Sequence, residues 1–116
     1  MTFDEYQKLA MRTDVLGDGT ATDNVLEPAF IAKILGLPGE AGEVTEKFKK
    51  IIRDKGGTLT EEDKKDIAKE LGDVLWYVAA ISSYMGVKMN QIADTNISKL
   101  AGRKVKGTLK GKGDNR

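Results

Sequence analysis

The chemistry open to this sequence rests on two acidic pairs, Glu40/Glu43 and Glu70/Asp73. Within each pair the carboxylates stand three residues apart, which on a helix puts both on one face with Cβ atoms roughly 5–6 Å apart. Acids so spaced usually form only a solvated face. Two pairs that converge are a different matter, because carboxylates about 5 Å apart at an effective dielectric near 20 repel by roughly 3 kcal/mol. A divalent cation turns that repulsion into binding. The 116 residues include no cysteine and no histidine, which excludes thiolate nucleophiles, imidazole bases and disulfides and disfavours zinc. Any metal must be held by oxygen, so Mg²⁺ is the expected ion and Mn²⁺ its substitute. Magnesium that keeps open positions polarises phosphate oxygens and activates water.

The elements that must position these acids are helices. Phe3, Tyr6, Leu9 and Ala10 predict a short helix to about Arg12, and the polar stretch Asp14 to Asn24, with Gly17 and Gly19, predicts a loop. A long helix begins near Pro28, passes Ile31, Ile34 and Leu35 and ends near Arg53, with a kink expected at Pro38. Gly56-Gly57 marks a turn. Thr60 can cap a third helix that carries Glu61, Glu62 and Asp63 in its positive first turn and runs to about Tyr84, where Gly86 stops it. A fourth spans about Asn90 to Lys104, with Ile92, Ile97 and Leu100 as its apolar positions. The expected fold is all-α, a four-helix-bundle-like arrangement of antiparallel helices.

The acids occupy matching positions on their helices. The apolar stripe of the second helix is Leu37, Ala41, Val44, Phe48 and Ile51; that of the third is Ile67, Leu71, Val74, Val78 and Ile81. In both, each acid precedes a stripe position by one residue, about 100° to the same side. Folding the two helices into an antiparallel hairpin about the glycine turn sets Glu43 opposite Glu70 and Glu40 opposite Asp73. The four carboxylates are expected to meet.

The composition, 40% hydrophobic and 32% charged, suits one helical domain. No apolar run approaches the roughly 20 residues of a membrane span, and the acidic, amphipathic opening does not read as a secretory signal, so a cytoplasmic location is expected. The net charge of +1 hides an asymmetry. Residues 103–116 hold six basic side chains against Asp114, so +5 lies at the C-terminus and −4 on residues 1–102. A domain over residues 1–105 and a basic, glycine-rich tail over 106–116 are the expected division. The tail has no aromatic residue for stacking on bases, which argues against a nucleic-acid partner.

At the acidic motifs the sequence resembles the MazG-like family of all-α nucleoside triphosphate pyrophosphohydrolases. Gly36-Leu37-Pro38-Gly39-Glu40-Ala41-Gly42-Glu43-Val44 supplies its Glu-x-x-Glu half, and Glu70-Leu71-Gly72-Asp73-Val74-Leu75-Trp76-Tyr77 its Glu-x-x-Asp half. Asn96-Ile97-Ser98-Lys99-Leu100 with Arg103 resembles a downstream Asn-x-x-Lys-Leu-x-x-Arg element, and Gly111-Lys112-Gly113-Asp114-Asn115-Arg116 resembles the ending of some members. Pro38 is a departure that bears on the reach of Glu40. The resemblance implies that Glu40, Glu43, Glu70 and Asp73 hold Mg²⁺, one glutamate also serving as base. It further implies cleavage between the α- and β-phosphates of a nucleoside triphosphate, and a homodimer or homotetramer whose site is completed between subunits.

Around the acids stand residues with two readings each. Lys47 and Lys50 follow Glu43 by one and two turns; Lys47 either meets the triphosphate or pairs with Asp66 across the hairpin, and Lys50 reads as an ordinary helix charge. Trp76 and Tyr77 flank Asp73 and can stack on a nucleobase or pack in the interior; resemblance to a family pocket position favours the base for Tyr77. Asn96, Lys99 and Arg103 share one face of the fourth helix, and the motif resemblance favours contact with sugar and phosphates for Lys99 and Arg103. Lys110, Lys112 and Arg116 can close over the triphosphate as a lid or remain a mobile basic end. The expected function is hydrolysis of ordinary or modified nucleoside triphosphates, which cleanses the nucleotide pool. Phosphoribosyl-ATP pyrophosphohydrolase and a non-catalytic helical oligomerisation or regulatory module are the alternatives.

Overall fold

The computed structural model describes residues 1–107, which form four helices and no strand. They are α1 (Phe3–Met11), α2 (Pro28–Lys55), α3 (Glu61–Tyr84) and α4 (Met89–Lys106). The fold is all-α, as the periodicity predicts. No helix among the described residues is long and apolar enough to cross a membrane.

Local chemistry accounts for the helix ends. Pro28 occupies the first turn of α2, where a missing N–H costs nothing. Pro38 lies inside α2, which nevertheless runs unbroken to Lys55. Gly56 and Gly57 then take φ of +62° and +85°, a left-handed turn that residues with a Cβ adopt only at a cost. Thr60 and Asp63 form a reciprocal capping box at the start of α3: the Asp63 N–H donates to Thr60 Oγ1 at 3.1 Å, and the Thr60 N–H to Asp63 Oδ2 at 2.9 Å. Hydrogen bonds from Lys55, then from the Thr60 backbone, hold the Asp63 carboxyl down at about 2. The α2–α3 turn is thus fastened on both sides.

Helices α2 and α3 form an antiparallel hairpin, α1 packs on α3, and α4 rests mainly on α1. The small core beneath α1 consists of Ala10, Met11, Ala79, Ala80 and Met89, with Tyr6, Leu75, Trp76 and Val78 against it. Buried Gln7 joins three elements, donating to the carbonyls of Ala79 (3.3 Å) and Val87 (3.0 Å) and accepting from the Met89 N–H (3.1 Å). Asp4 accepts the Asn90 N–H at 2.9 Å. The open first turn of α4 is therefore capped from α1.

The hairpin seam differs from the expected apolar stripes. Ile51 and Ile67 are buried, but Phe48 and Leu71 remain 41% and 52% exposed, beside Ile52 at 67%. Between the helices lie instead Tyr84 stacked on Phe30 (ring centroids 5.5 Å apart) and Tyr77 against Gly36. A Cβ at Gly36 would overlap the Tyr77 ring, coming 2.7 Å from its hydroxyl oxygen. The Tyr77 ring occupies the width that Gly36 leaves, and part of each aliphatic stripe lies outward. On α4, likewise, Ile92 and Ile97 are exposed while Leu100 is half-buried.

Candidate active site

The groove between α2 and α3 gathers three of the four acids. Glu40, Glu70 and Asp73 each present a carboxylate oxygen, and the three oxygens lie within 4.8 Å of one another. Glu40 and Glu70 are half-buried and Asp73 is exposed. Burial, followed by the charges of Asp73, Glu70 and Glu43, holds the Glu40 carboxyl above its ordinary range. Glu43 stands apart from the trio on the exposed side of α2, although its charge is felt at Glu40. The expectation that all four meet at one level thus holds for three.

Lys47 Nζ lies 3.6 Å from Glu70 Oε1, one turn from the Asp66 partner expected for it. Asp66 instead faces Lys69 on its own helix at 4.0 Å. Glu70 therefore lies between Lys47 and Glu40. Lys47 also lines the groove that continues toward the turn, together with Lys50, Asp63 and Asp66. One cation thus stands at the edge of the acid cluster.

The flanking aromatics differ in what they touch. The Trp76 indole N–H donates to the Ala10 carbonyl (3.2 Å) and to Thr13 Oγ1 (2.8 Å), tying α3 to the end of α1. Tyr77 meets Trp76 edge-on, with centroids 5.0 Å apart, and lies against Gly36 one turn before Glu40. On α4, Asn96 is exposed, Lys99 is half-buried and Arg103 is buried. Asn96 and Lys99 line a shallow pocket with Val87 and Gln91. Lys110, Lys112 and Arg116 fall outside the described residues.

Two features of the neighbourhood were not anticipated. The first is Tyr6 of α1: burial, then the Asp73 charge, raises its phenol above the usual value, so α1 stands beside the acid cluster. The second is a buried ionic centre. Lys33 Nζ meets Asp14 Oδ1 at 2.9 Å, the Tyr84 hydroxyl donates to Asp14 Oδ2, and the Lys33 ammonium lies 5.8 Å and 5.7 Å from the Trp76 and Tyr84 ring centres. A lysine amid the apolar run Phe30 to Leu37 was the available signal for it. Lys33, Glu40 and Lys47 recur every seven residues on α2, as Glu70, Tyr77 and Tyr84 do on α3. Both columns face the seam, so this pair and the acids belong to one polar interface.

Three half-exposed oxygens of this kind suit a hard divalent cation with water on its open side. The model of the MazG nucleotide pyrophosphohydrolase domain matches residues 30–107 of the chain. Over 116 residues, the whole of both chains, the sequence is 40% identical to the "Gene 37 protein" of Mycobacterium phage L5. No solved structure matches it.

Proposed function

This chain belongs to the MazG nucleotide pyrophosphohydrolase family, and from that membership we propose that it cleaves nucleoside triphosphates to the monophosphate and pyrophosphate with Mg²⁺ or Mn²⁺. The observation that carries the reading is the convergence of Glu40, Glu70 and Asp73 oxygens within 4.8 Å. Those three residues would hold the ion, which supplies Lewis-acid polarisation of phosphate oxygens and an activated water. Glu43, outside the trio, would accept a proton from water or complete the ligand set. Lys47 offers positive charge for the phosphates. When triphosphate enters, its contact with Glu70 can be exchanged for phosphate oxygens at small cost, since half-exposed ion pairs contribute only about 0–1 kcal/mol.

Self-association is part of the proposal. The radius of gyration is 16.9 Å, against about 13 Å for a compact chain of this size. No large side chain among the described residues is fully buried, and Phe48, Ile52 and Leu71 line the outside of the hairpin. A second copy would cover such a face.

The experiment is a panel of nucleoside triphosphates, together with phosphoribosyl-ATP, incubated with Mg²⁺ or Mn²⁺ and resolved by chromatography. Monophosphate and pyrophosphate from a nucleoside triphosphate are the expected products. Preferential turnover of phosphoribosyl-ATP would move the assignment to that substrate. Absence of turnover, combined with no calorimetric binding of Mg²⁺ or Mn²⁺, would leave a non-catalytic helical module.

A further inference from the structure

Lys47 passes over its nearest helical partner. Glu43 precedes it by four residues, the order and spacing in which glutamate and lysine pair best on one helix. The Lys47 ammonium lies instead across the seam, 3.6 Å from Glu70 Oε1 on α3. Among the described residues no ion pair joins Lys47 to Glu43, and none joins another cation to Glu40, Glu70 or Asp73. The contact is partly sheltered, with the Lys47 and Glu70 side chains 36% and 20% exposed.

The charge at the seam explains that choice of partner. Glu40, Glu70 and Asp73 bring three carboxylate oxygens within 4.8 Å of one another, and such a cluster repels itself unless positive charge compensates it. Lys47 supplies one such charge, on a flexible four-carbon stem. A divalent cation held by the same three residues would claim the carboxylate that Lys47 touches. Two positive centres at one carboxylate repel each other, so the ammonium and the metal ion compete for Glu70. Lys50 lines the same groove but is exposed and makes no ion pair with the trio among the described residues.

We propose that Lys47 is a tethered counter-ion of the acid cluster, which holds Glu70 at the seam and competes with the divalent metal for its carboxylate, so setting the metal affinity of the site. Lys47 is in this role a positioning residue, acting through Glu70. The proposal rests on the metal chemistry of the proposed function, but its test does not depend on turnover. Mn²⁺ is titrated calorimetrically into the full chain and into K47M, K47Q, K47R and K50M, with circular dichroism as the check on fold. Lys47 is half-exposed, so its replacements are expected to fold. K47M and K47Q should bind Mn²⁺ about threefold to tenfold more tightly than the wild type, the scale of one half-exposed ion pair. A merely damaged site would bind more weakly. K47R keeps the charge and should bind no more tightly than the wild type. K50M should change the affinity by less than about twofold, because an exposed charge out of contact with the acids is screened. Under chelation K47M should melt below the wild type, and saturating Mn²⁺ should narrow the gap. Unchanged or weaker Mn²⁺ binding in both neutral Lys47 variants, or equal tightening in K50M, would overturn the proposal. Absence of Mn²⁺ binding in every variant would overturn it together with the metal chemistry it rests on. The expected order of affinities without hydrolysis of any triphosphate would count against the proposed activity alone.

Discussion

Lys33 Nζ on α2 lies 2.9 Å from Asp14 Oδ1 in the α1–α2 loop, with the two side chains 4% and 1% exposed. This ion pair joins the loop to the hairpin beside the stacked Phe30 and Tyr84 rings. Its neighbours hold the same loop in place. Ser83 Oγ donates to the Gly19 carbonyl at 2.6 Å, and the Thr22 N–H to the Tyr84 carbonyl at 2.9 Å.

Breaking that pair from either side should be costly. Lys33→Met leaves a buried carboxylate with only Tyr84 and the Leu16 N–H as donors, and is expected to lower stability by about 3 kcal/mol in urea unfolding. Asp14→Asn should cost a comparable amount. The double replacement should cost clearly less than the two together, because residues in contact are not additive. Strict additivity would mean that the two charges do not interact.

The same carboxylate gives stability an acid limb. Burial alone would raise Asp14, but hydrogen bonds from Tyr84, Lys33 and the Leu16 N–H, with the Lys33 charge, outweigh it and hold the group below its ordinary 3.8. A carboxyl depressed in the folded state stabilises fully above its unfolded value and loses that contribution as pH falls through the folded one. The wild-type melting temperature, measured from pH 7 to pH 2, should therefore fall more steeply below about pH 4 than that of Asp14→Asn. Parallel curves would remove Asp14 from the acid transition.

One substitution should act with opposite signs along α2. Alanine favours a helix interior over glycine by about 1 kcal/mol, and a Cβ at Gly39 or Gly42 meets nothing within 4 Å. At Gly36 it would overlap the Tyr77 ring, an overpacking that costs roughly 1–3 kcal/mol. Gly39→Ala and Gly42→Ala should thus raise the urea midpoint, and Gly36→Ala should lower it. If Gly36→Ala is also stabilising, Tyr77 does not pack as described.

The acid cluster should respond to metal. Millimolar Mg²⁺ or Mn²⁺ is expected to raise the melting temperature by several degrees through binding to the folded state, and chelation to reverse it. Glu70→Gln should remove both this shift and turnover, with helical circular dichroism retained. Glu43→Gln, outside the trio, should keep most of the thermal shift while lowering turnover. Equal loss of the shift in both variants would place Glu43 among the ligands.

What the chain alone determines is local. The Thr60 cap, the glycines at the hairpin turn and the three-residue spacing of the acids each depend on φ, ψ and helix pitch within a few neighbouring residues, and all were legible as letters. The lack of cysteine and histidine limited a metal site to oxygen in the same direct way. Tertiary packing decided which of those features meet. Helix periodicity assigns each side chain an angle about its own axis, but not the rotation or register between two axes. Those were settled by bulk and charge at the seam: Tyr77 needs the space at Gly36, Lys47 reaches Glu70 in place of Asp66, and Lys33 is drawn inside by Asp14. In the resulting packing Glu43 falls outside the trio, and Phe48 and Leu71 stay in the open. The nearness of Tyr6 to Asp73 arises from α1 packing on α3, a contact between residues far apart in sequence that no periodic pattern encodes.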